Sequence, residues 1–397
     1  MTGIFQAATT ALLLALLIVP ASAQSRPRAR DLGIPFNGTP GPLDAITDVA
    51  GVEVGFTTLI AGEGPLVVGK GPVRTGVTAI LPRGRASADP VFAGFFSQNG
   101  NGEMTGTHWI KESGFLDGPI MITNTHSVGV VRDAVIAWQV QHGFVPRTSS
   151  VEGAWWSMPV VAETYDGFPL NDVNGFHVKP EHAFAAIDGA RSGLPAEGNV
   201  GGGTGMICYE FKGGTGTSSR RVETAAGTYT IGVLVQCNCG LREQLTVGGV
   251  SVGREIPVEQ APGSARAGAA SDDVGSIIII VATDTPLLPT QLERLARRAT
   301  MGLARTGSSS GNYSGDIFLA FSTANAEAVK KPVANVQMFS NDLIGPLFEA
   351  TAQATEEAIL NAMVGAETMT GIDGHKVTAL PHDRLREVLK KYNRLAK

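Results

Sequence analysis

The sequence predicts a mixed α/β fold, and three observations support that prediction. Residues 277–281 read Ile-Ile-Ile-Ile-Val without alternation, which is typical of a strand buried on both faces. Residues 119–124 form an apolar strand pattern that continues through Thr125 into apolar residues at helical spacing, ended by Gly143. Amphipathic helical spacing recurs at residues 288–307 and 385–395. Strands followed by helices therefore account for most of the patterned sequence.

Length and charge limit the classes of protein that the chain can belong to. Its 397 residues could form two domains or one large α/β domain. The 50 glycines show no collagen-like period and indicate many tight turns. A net charge of −5 without any long basic run argues against a nucleic-acid partner.

The cysteines and histidines do not predict a metal site or a cofactor. Cys208, Cys237 and Cys239 are odd in number and lack the spacing of zinc ligands. Two of them are separated by one residue, where a disulfide would be strained. No His-Glu-x-x-His pattern is present, so zinc hydrolysis is not expected.

Residues 1–23 predict an export signal. An apolar run at 11–19 precedes Ala21-Ser22-Ala23, a small-x-small cleavage pattern before Gln24. The run is too short for a permanent membrane anchor, although a tethered form is the lesser alternative. We expect a periplasmic or secreted protein without a stable membrane span after signal removal.

The other elements follow from local patterns. Strands are predicted at 76–81, 229–238 and 316–321, and a further apolar run ends near Gly167. A long helix is predicted from about Asn341 to Val364, with Leu343, Leu347, Thr351 and Ile359 facing inward. Residues 254–275 have the composition of a surface linker. The glycine-rich stretches at 198–205 and 212–216 lack the spacing of phosphate-binding loops, which favours close approach of the backbone to other backbone or to a small ligand instead.

The junction Gly275-Ser276 lies where the linker meets the buried strand. Cutting before Ser276 would give that residue both a nucleophilic hydroxyl and a free α-amine, which titrates near neutrality. Gly275 lacks a Cβ and could adopt the strained backbone that attack on its carbonyl requires. Taken alone, the junction fits an ordinary strand start better.

Further polar residues end the predicted strands or lie in loops between them. Glu163 and Tyr165 are two apart, so on a strand both would face the same way. Asn238 ends the strand at 229–238, where its amide could donate into a cavity or cap a turn. Ser314 and Asp316 lie two apart in a polar loop.

Several motifs in order resemble the L-aminopeptidase/D-esterase/amidase family, which includes the β-aminopeptidases. The motifs cover nearly all of the mature chain and are the following: Gly-Asn-Val-Gly-Gly-Gly-Thr-Gly at 198–205, Val-Leu-Val-Gln-x-Asn at 233–238, Gly-Ser-Ile-Ile at 275–278, Ala-Thr-Asp-x-Pro-Leu-Leu-Pro at 282–289, and Ser-Gly-Asp-Ile at 314–317.

The resemblance implies an αββα four-layer sandwich, similar to N-terminal-nucleophile hydrolases but connected differently. It also implies a precursor that cuts itself before Ser276, giving a 24–275 α subunit and a 276–397 β subunit within one domain. The halves would stay associated and form a homotetramer of cut pairs.

The same resemblance implies a role for each candidate residue. The matching roles are nucleophile for Ser276, supporting hydroxyl for Ser314, acidic partner for Asp316, oxyanion amide for Asn238, phenol near the reacting carbonyl for Tyr165, and binding of the substrate's free amine for Glu163. Cys237 and Cys239 flank Asn238 where many relatives differ, and Asp316 replaces a glutamate found in some of them.

These residues together predict a serine aminopeptidase that works through an acyl-enzyme on Ser276. The base stays open between the new α-amine of Ser276 and the Ser314/Asp316 pair. A histidine triad is disfavoured because no Gly-x-Ser-x-Gly surrounds a candidate serine. The alternatives are an ornithine acetyltransferase-like acyltransferase, which would use threonine at the cut, and a non-catalytic periplasmic binding protein.

Overall fold

Residues 26–143, 155–257 and 275–396 are described by the structure, which is a computed structural model. The predicted export signal and residues 258–274 of the predicted linker lie outside these ranges. None of the helices within them combines the length and the apolar character that crossing a membrane would require.

Strands and helices occur along the whole described chain. The strands are β1 (Glu53–Ala61), β2 (Val73–Leu81), β3 (Val91–Ser97), β4 (Phe115–Leu116), β5 (Ile120–Asn124), β6 (Val160–Thr164), β7 (Ile207–Cys208), β8 (Phe211–Lys212), β9 (Gly214–Thr224), β10 (Gly227–Asn238), β11 (Ser276–Thr283), β12 (Ile317–Ser322), β13 (Met369–Thr370) and β14 (Lys376–Val377). The α-helices are α1 (Thr107–Ser113), α2 (Val128–Gln141), α3 (Pro180–Asp188), α4 (Val252–Glu255), α5 (Pro289–Arg305), α6 (Gly345–Val364) and α7 (His382–Lys391).

Two sheets pack face to face at the centre of the molecule. One has the order β1-β2-β5-β6 and the other the order β4-β3-β12-β11-β10-β9. Apolar residues from both sheets form one buried cluster between them, including Ile80, Ile122 and Ala162 from the first and Ile278 and Leu319 from the second. This cluster excludes water from the gap between the sheets.

Helices cover the outer face of each sheet. Helices α2 and α3 pack on the four-stranded sheet through a cluster that includes Val135, Trp138 and Ile187. Helices α5 and α6 pack on the six-stranded sheet through a cluster that includes Leu295 and Ile359. The layers are helix, sheet, sheet and helix, so the predicted αββα sandwich is confirmed.

Strand β11 alternates between the two cores although its sequence does not alternate. Ile277, Ile279 and Val281 pack toward the helices, whereas Ile278 and Ile280 pack between the sheets. Side chains two apart on a strand share a face, so Ser276 lies on the side of β11 that faces the other sheet. The unbroken apolar run was correctly interpreted as a strand buried on both faces.

The long C-terminal helix begins later than predicted. Residues Asn341–Leu343 form a separate 3-10 turn, and α6 starts at Gly345 with Pro346 in its first turn. Leu347, Thr351 and Ile359 are buried as expected, but Leu343 is 42% exposed. The inward assignment of Leu343 was wrong, because the turn interrupts the helical phase that placed it on the buried face.

Candidate functional site

The sequence-predicted residues meet at one end of the sandwich. Strands β5, β6 and β10 end there, and β11 and β12 begin there. Asn238 and Ser276 are direct partners in the antiparallel register of β10 and β11. Strand pairing therefore brings together two residues that are 38 positions apart in the chain (276 − 238).

Ser276 is 7% exposed, and its hydroxyl oxygen accepts a hydrogen bond from the backbone. The Gly315 N–H donates to Ser276 Oγ over 2.9 Å. Gly275 packs against the backbone of the preceding strand's end, where an added Cβ would lie 2.5 Å from Asn238 O. This close approach leaves no space for a side chain at position 275.

Ser314 and Asp316 form a pair beside the nucleophile. Ser314 Oγ donates to Asp316 Oδ1 over 2.6 Å, and the Ile277 N–H donates to the same oxygen over 3.1 Å. Both side chains are buried, with exposures of 1% and 0%. Asp316 thus accepts a hydrogen bond from the residue that follows Ser276. Gly315, which lies between Ser314 and Asp316, donates a hydrogen bond to Ser276 itself.

The Asn238 side chain is fixed by two backbone contacts. Its Oδ1 accepts from Ile207 N–H over 2.8 Å, and its Nδ2 donates to Tyr165 O over 3.1 Å. An asparagine amide carries two N–H hydrogens. The second can serve an oxyanion, while the first holds the amide in place.

Glu163 ends strand β6 as a buried carboxylate, 4% exposed. Its Oε1 accepts from Glu103 N–H over 2.9 Å, and its Oε2 accepts a short hydrogen bond from Thr125 Oγ1. Burial raises the pKa of Glu163, although these two donors oppose the rise. Two donors directed at the oxygens favour the ionised form.

Gly102 connects the acid to the nucleophile. A Cβ placed on Gly102 would lie 3.0 Å from Gly315 Cα and 3.4 Å from Glu163 Oε1. Gly102 therefore lies between Glu163 and Gly315, the residue whose N–H donates to Ser276 Oγ. A side chain larger than glycine at position 102 would press on both neighbours.

Tyr165 does not share a strand face with Glu163. Strand β6 ends at Thr164, and Tyr165 is 48% exposed while Glu163 is buried. The prediction that both face the same way was wrong, because the strand alternation stops one residue too early. The Tyr165 ring instead lies over Gly167, and its backbone carbonyl accepts from Asn238.

Asp166, next to Tyr165, was not identified from the sequence. Its Oδ1 accepts from Asn171 Nδ2 over 2.9 Å, and burial raises its pKa to about 7. An acid after an apolar run is a weak signal, since strands commonly end in polar residues. Asp166 holds the turn that carries Tyr165.

No functional role was predicted from the sequence for the segment at 98–103. Asn99 Oδ1 accepts from Asp316 N–H over 2.7 Å, and Asn99 Nδ2 donates to the carbonyls of Ser310 and Gly311. Asn101 Nδ2 donates to Tyr313 O over 2.7 Å. The polar Gln-Asn-Gly-Asn-Gly-Glu run that follows strand β3 was the available signal. It clamps the loop that carries Ser314 and Asp316.

We expect Asn99→Ala to lower kcat by about 10- to 100-fold with little change in KM. The reason is that a small displacement of a catalytic group is costly even when substrate binding is unaffected. Asn101→Ala is the matched control, because it removes one bond to the same loop without touching Asp316, and its loss should be smaller. Steady-state kinetics decide this, and equal kcat values for the two variants would contradict the prediction.

The three cysteines converge although their spacing did not predict it. Their Sγ atoms lie within 4.8 Å of one another, and all three side chains are buried. Within the described ranges, no other group of three or more His, Cys, Asp or Glu residues has the geometry to hold a metal ion. The cluster lies beside the end of strand β10, since Cys237 and Cys239 flank Asn238, but it contains none of the predicted site residues.

Comparisons with known proteins agree with this geometry. Residues 44–377 match the model of peptidase family S58. A β-peptidyl aminopeptidase from Sphingosinicella microcystinivorans is 56% identical over 395 residues, covering 97% of this chain and 98% of that protein. A β-peptidyl aminopeptidase from Sphingosinicella xenopeptidilytica is 50% identical, covering 96% of this chain and 95% of that protein.

Solved structures give the same result. The L-aminopeptidase D-Ala-esterase/amidase of Ochrobactrum anthropi, a serine aminopeptidase with a variant N-terminal-nucleophile hydrolase fold, superposes with a TM-score of 0.85 at 48% identity, covering 94% of this chain and all of that one. A β-aminopeptidase from a Burkholderia species gives 0.81 at 46%, covering 92% and 98%. These matches favour a peptidase over an acetyltransferase or a binding protein. The chain belongs to peptidase family S58 and is a hydrolase of the aminopeptidase type.

Proposed function

We propose that this aminopeptidase cuts its own chain before Ser276 and then removes N-terminal residues from peptides, amides or esters. The observation that carries the proposal is the position of Ser276 Oγ, bonded by Gly315 N–H and aligned with Asn238. A hydroxyl at the first position of a buried strand, beside a fixed amide, has the components of acyl transfer.

Self-cleavage would begin with attack of Ser276 Oγ on the Gly275 carbonyl carbon. The C–N bond to Ser276 breaks as the C–O bond forms, and water then hydrolyses the ester. The products are a Gly275 carboxylate and a free Ser276 amine. In turnover, the same oxygen attacks the substrate carbonyl, the amine or alcohol leaves, and water releases the N-terminal residue.

The Ser314/Asp316 pair and the new Ser276 amine are the two groups available to accept the hydroxyl proton. Ser314 is hydrogen-bonded to Asp316, so a proton taken by the pair would reach a buried carboxylate. The amine would become the base only after cleavage. Asn238 donates to the developing oxyanion in both reactions.

Cleavage would not separate the two halves. Strands β11 and β12 belong to the 276–397 part, yet they lie between β3 and β10 of the 24–275 part in the six-stranded sheet. Removing them would break both pairings and open the core. We infer that the halves stay associated. We also propose that the cut pairs assemble as a homotetramer and that the protein is exported to the periplasm or secreted.

The substrate would enter with a free amine facing Glu163. A buried carboxylate stabilises an ammonium and disfavours an N-acylated chain that cannot neutralise it. Since the relatives at 56% and 50% identity are β-peptidyl aminopeptidases, we propose that β-amino residues are accepted as well as α-amino ones.

An aminoacyl p-nitroanilide tests this function. The wild-type chain should release p-nitroaniline from the free-amine substrate and not from its N-acetylated form. Glu163→Gln should lower kcat/KM by about 100-fold, because a charge-assisted contact to the ammonium is lost. Glu103→Gln is the matched control, since that neighbouring carboxylate is exposed and should matter little.

The acid limb of the pH profile follows from the same residue. Glu163 must be ionised to bind the ammonium, and burial raises its pKa, so kcat/KM is present above that raised pKa and is lost as pH falls through it. The loss should begin at a higher pH than an ordinary glutamate would give. Equal rates on free and acetylated anilides would overturn the assignment of Glu163.

A further inference from the structure

Cys208, Cys237 and Cys239 form a buried cluster whose members are not equally spaced. Cys208 Sγ lies 2.6 Å from Cys237 Sγ, whereas Cys239 Sγ lies 3.5 Å from the first and 3.8 Å from the second. The first pair is closer than unbonded sulfur atoms normally approach.

We propose that Cys208 and Cys237 are a covalent modification site, which forms a disulfide under oxidising conditions while Cys239 stays a thiol. Strand β7 and the end of β10 bring the two side chains together from positions 29 residues apart. Closing the bond would shorten the Sγ–Sγ separation from 2.6 Å to about 2.0 Å.

The spacing favours a disulfide over a metal ion. Two thiolates bound to one tetrahedral zinc ion at about 2.3 Å each would stand roughly 3.8 Å apart. The 2.6 Å between Cys208 and Cys237 is well below that separation. A cation would have to push this pair apart within a closely packed core.

Lys212 distinguishes the pair from the third cysteine. Its fully buried ammonium donates to Met206 O over 2.7 Å and to Gly213 O over 2.8 Å. Burial lowers the pKa of Lys212 to about 7, and the nearby Cys208 and Cys237 limit this decrease. When protonated, Lys212 offsets part of the effect of burial, which raises the pKa of Cys237, and thiolate is the form that attacks a disulfide.

The bond would join the two segments that fix Asn238. Cys208 follows Ile207, whose N–H donates to Asn238 Oδ1, and Cys237 precedes Asn238 in strand β10. Closing the bond therefore ties the short hairpin of β7 and β8 to the end of β10. The predicted oxyanion amide would be held between two covalently linked neighbours.

The reaction needs an oxidant, which we take to be a low-molecular-weight disulfide. One thiolate attacks oxidised glutathione and releases one glutathione. The second thiolate then attacks the mixed disulfide and releases the other. Two protons and two electrons leave the protein, and one disulfide is reduced to two thiols. Because burial raises the pKa of Cys237, the exchange should proceed fastest while the chain is folding.

Mass spectrometry tests the site. Wild-type protein is incubated with oxidised glutathione or with reductant, and an uncut Ser276→Ala chain is refolded in a glutathione redox buffer. All samples are denatured in an alkylating reagent and digested. The oxidised samples should contain a Cys208–Cys237 cross-linked peptide in which Cys239 is alkylated. At the pair itself, its mass should be two hydrogen atoms below the sum of the two free-thiol peptides. The reduced sample should contain three alkylated cysteines.

Thermal unfolding supplies a second readout. The oxidised wild type should have a Tm about 5 °C above the reduced form, because the bond restricts the unfolded chain. Cys239→Ser should keep this difference, and Cys237→Ser should lose it. Three alkylated cysteines in both oxidised samples, a cross-link that includes Cys239, or a metal ion retained by the three thiols would overturn the proposal. These outcomes leave the aminopeptidase assignment untouched, since it rests on Ser276.

Discussion

Ser276→Ala is expected to remain a single uncut chain and to lose activity by about 10⁶-fold, the scale seen when a serine hydrolase loses its nucleophile. The hydroxyl is needed twice, once against the Gly275 carbonyl and once against the substrate. Alanine removes the hydroxyl that accepts the 2.9 Å bond from Gly315 N–H and leaves the strand backbone unchanged, so this variant should fold normally. Denaturing electrophoresis and anilide hydrolysis measure the two losses together.

Ser276→Thr is the matched variant because it keeps a hydroxyl. It should still be cut, at a reduced rate, since its extra methyl group must fit into a buried site. N-terminal sequencing of active wild type should find Ser-Ile-Ile-Ile as a second start. An alanine variant that hydrolyses the anilide at the wild-type rate would disprove the assignment of Ser276.

Asn238→Ala is expected to lower kcat by about 10²- to 10³-fold and to change KM little, because the amide donates mainly to the transition-state oxyanion. Self-cleavage should slow as well, since the same amide would donate to the oxyanion that forms on the Gly275 carbonyl. Single-turnover kinetics and the time course of cutting give both rates.

Asn238→Asp separates the oxyanion role from a structural one. Aspartate keeps an oxygen that accepts from Ile207 N–H but provides no N–H donor when ionised. It should therefore lose activity to at least the extent of the alanine variant. Both variants lose the bond to Tyr165 O, so their Tm values are compared to separate this structural loss from the loss of kcat. If the aspartate variant keeps kcat within threefold of wild type, Asn238 does not bind the oxyanion.

Much of the fold could be predicted from local patterns. The apolar run of β11, the strand–helix succession at β5 and α2, and the amphipathic α5 are each set by residues within one element. The glycines at 201–205 were correctly expected to pack closely against backbone, as they do in a buried 3-10 turn. Errors occurred at element ends, where Leu343 and Tyr165 were placed by extending a periodicity beyond the residue at which it stops.

Local patterns in the sequence were enough to predict the buried central strand, the serine at its first position, and the polar residues that end or follow neighbouring strands. Which of these residues meet is set by the folded chain: register pairs Ser276 with Asn238, Asn99 holds Asp316, and three unevenly spaced cysteines converge. These two levels of structure depend on contacts over different separations along the chain. Strand and helix formation follow side-chain periodicity over a few residues, whereas sheet order and register depend on contacts between segments far apart in the chain.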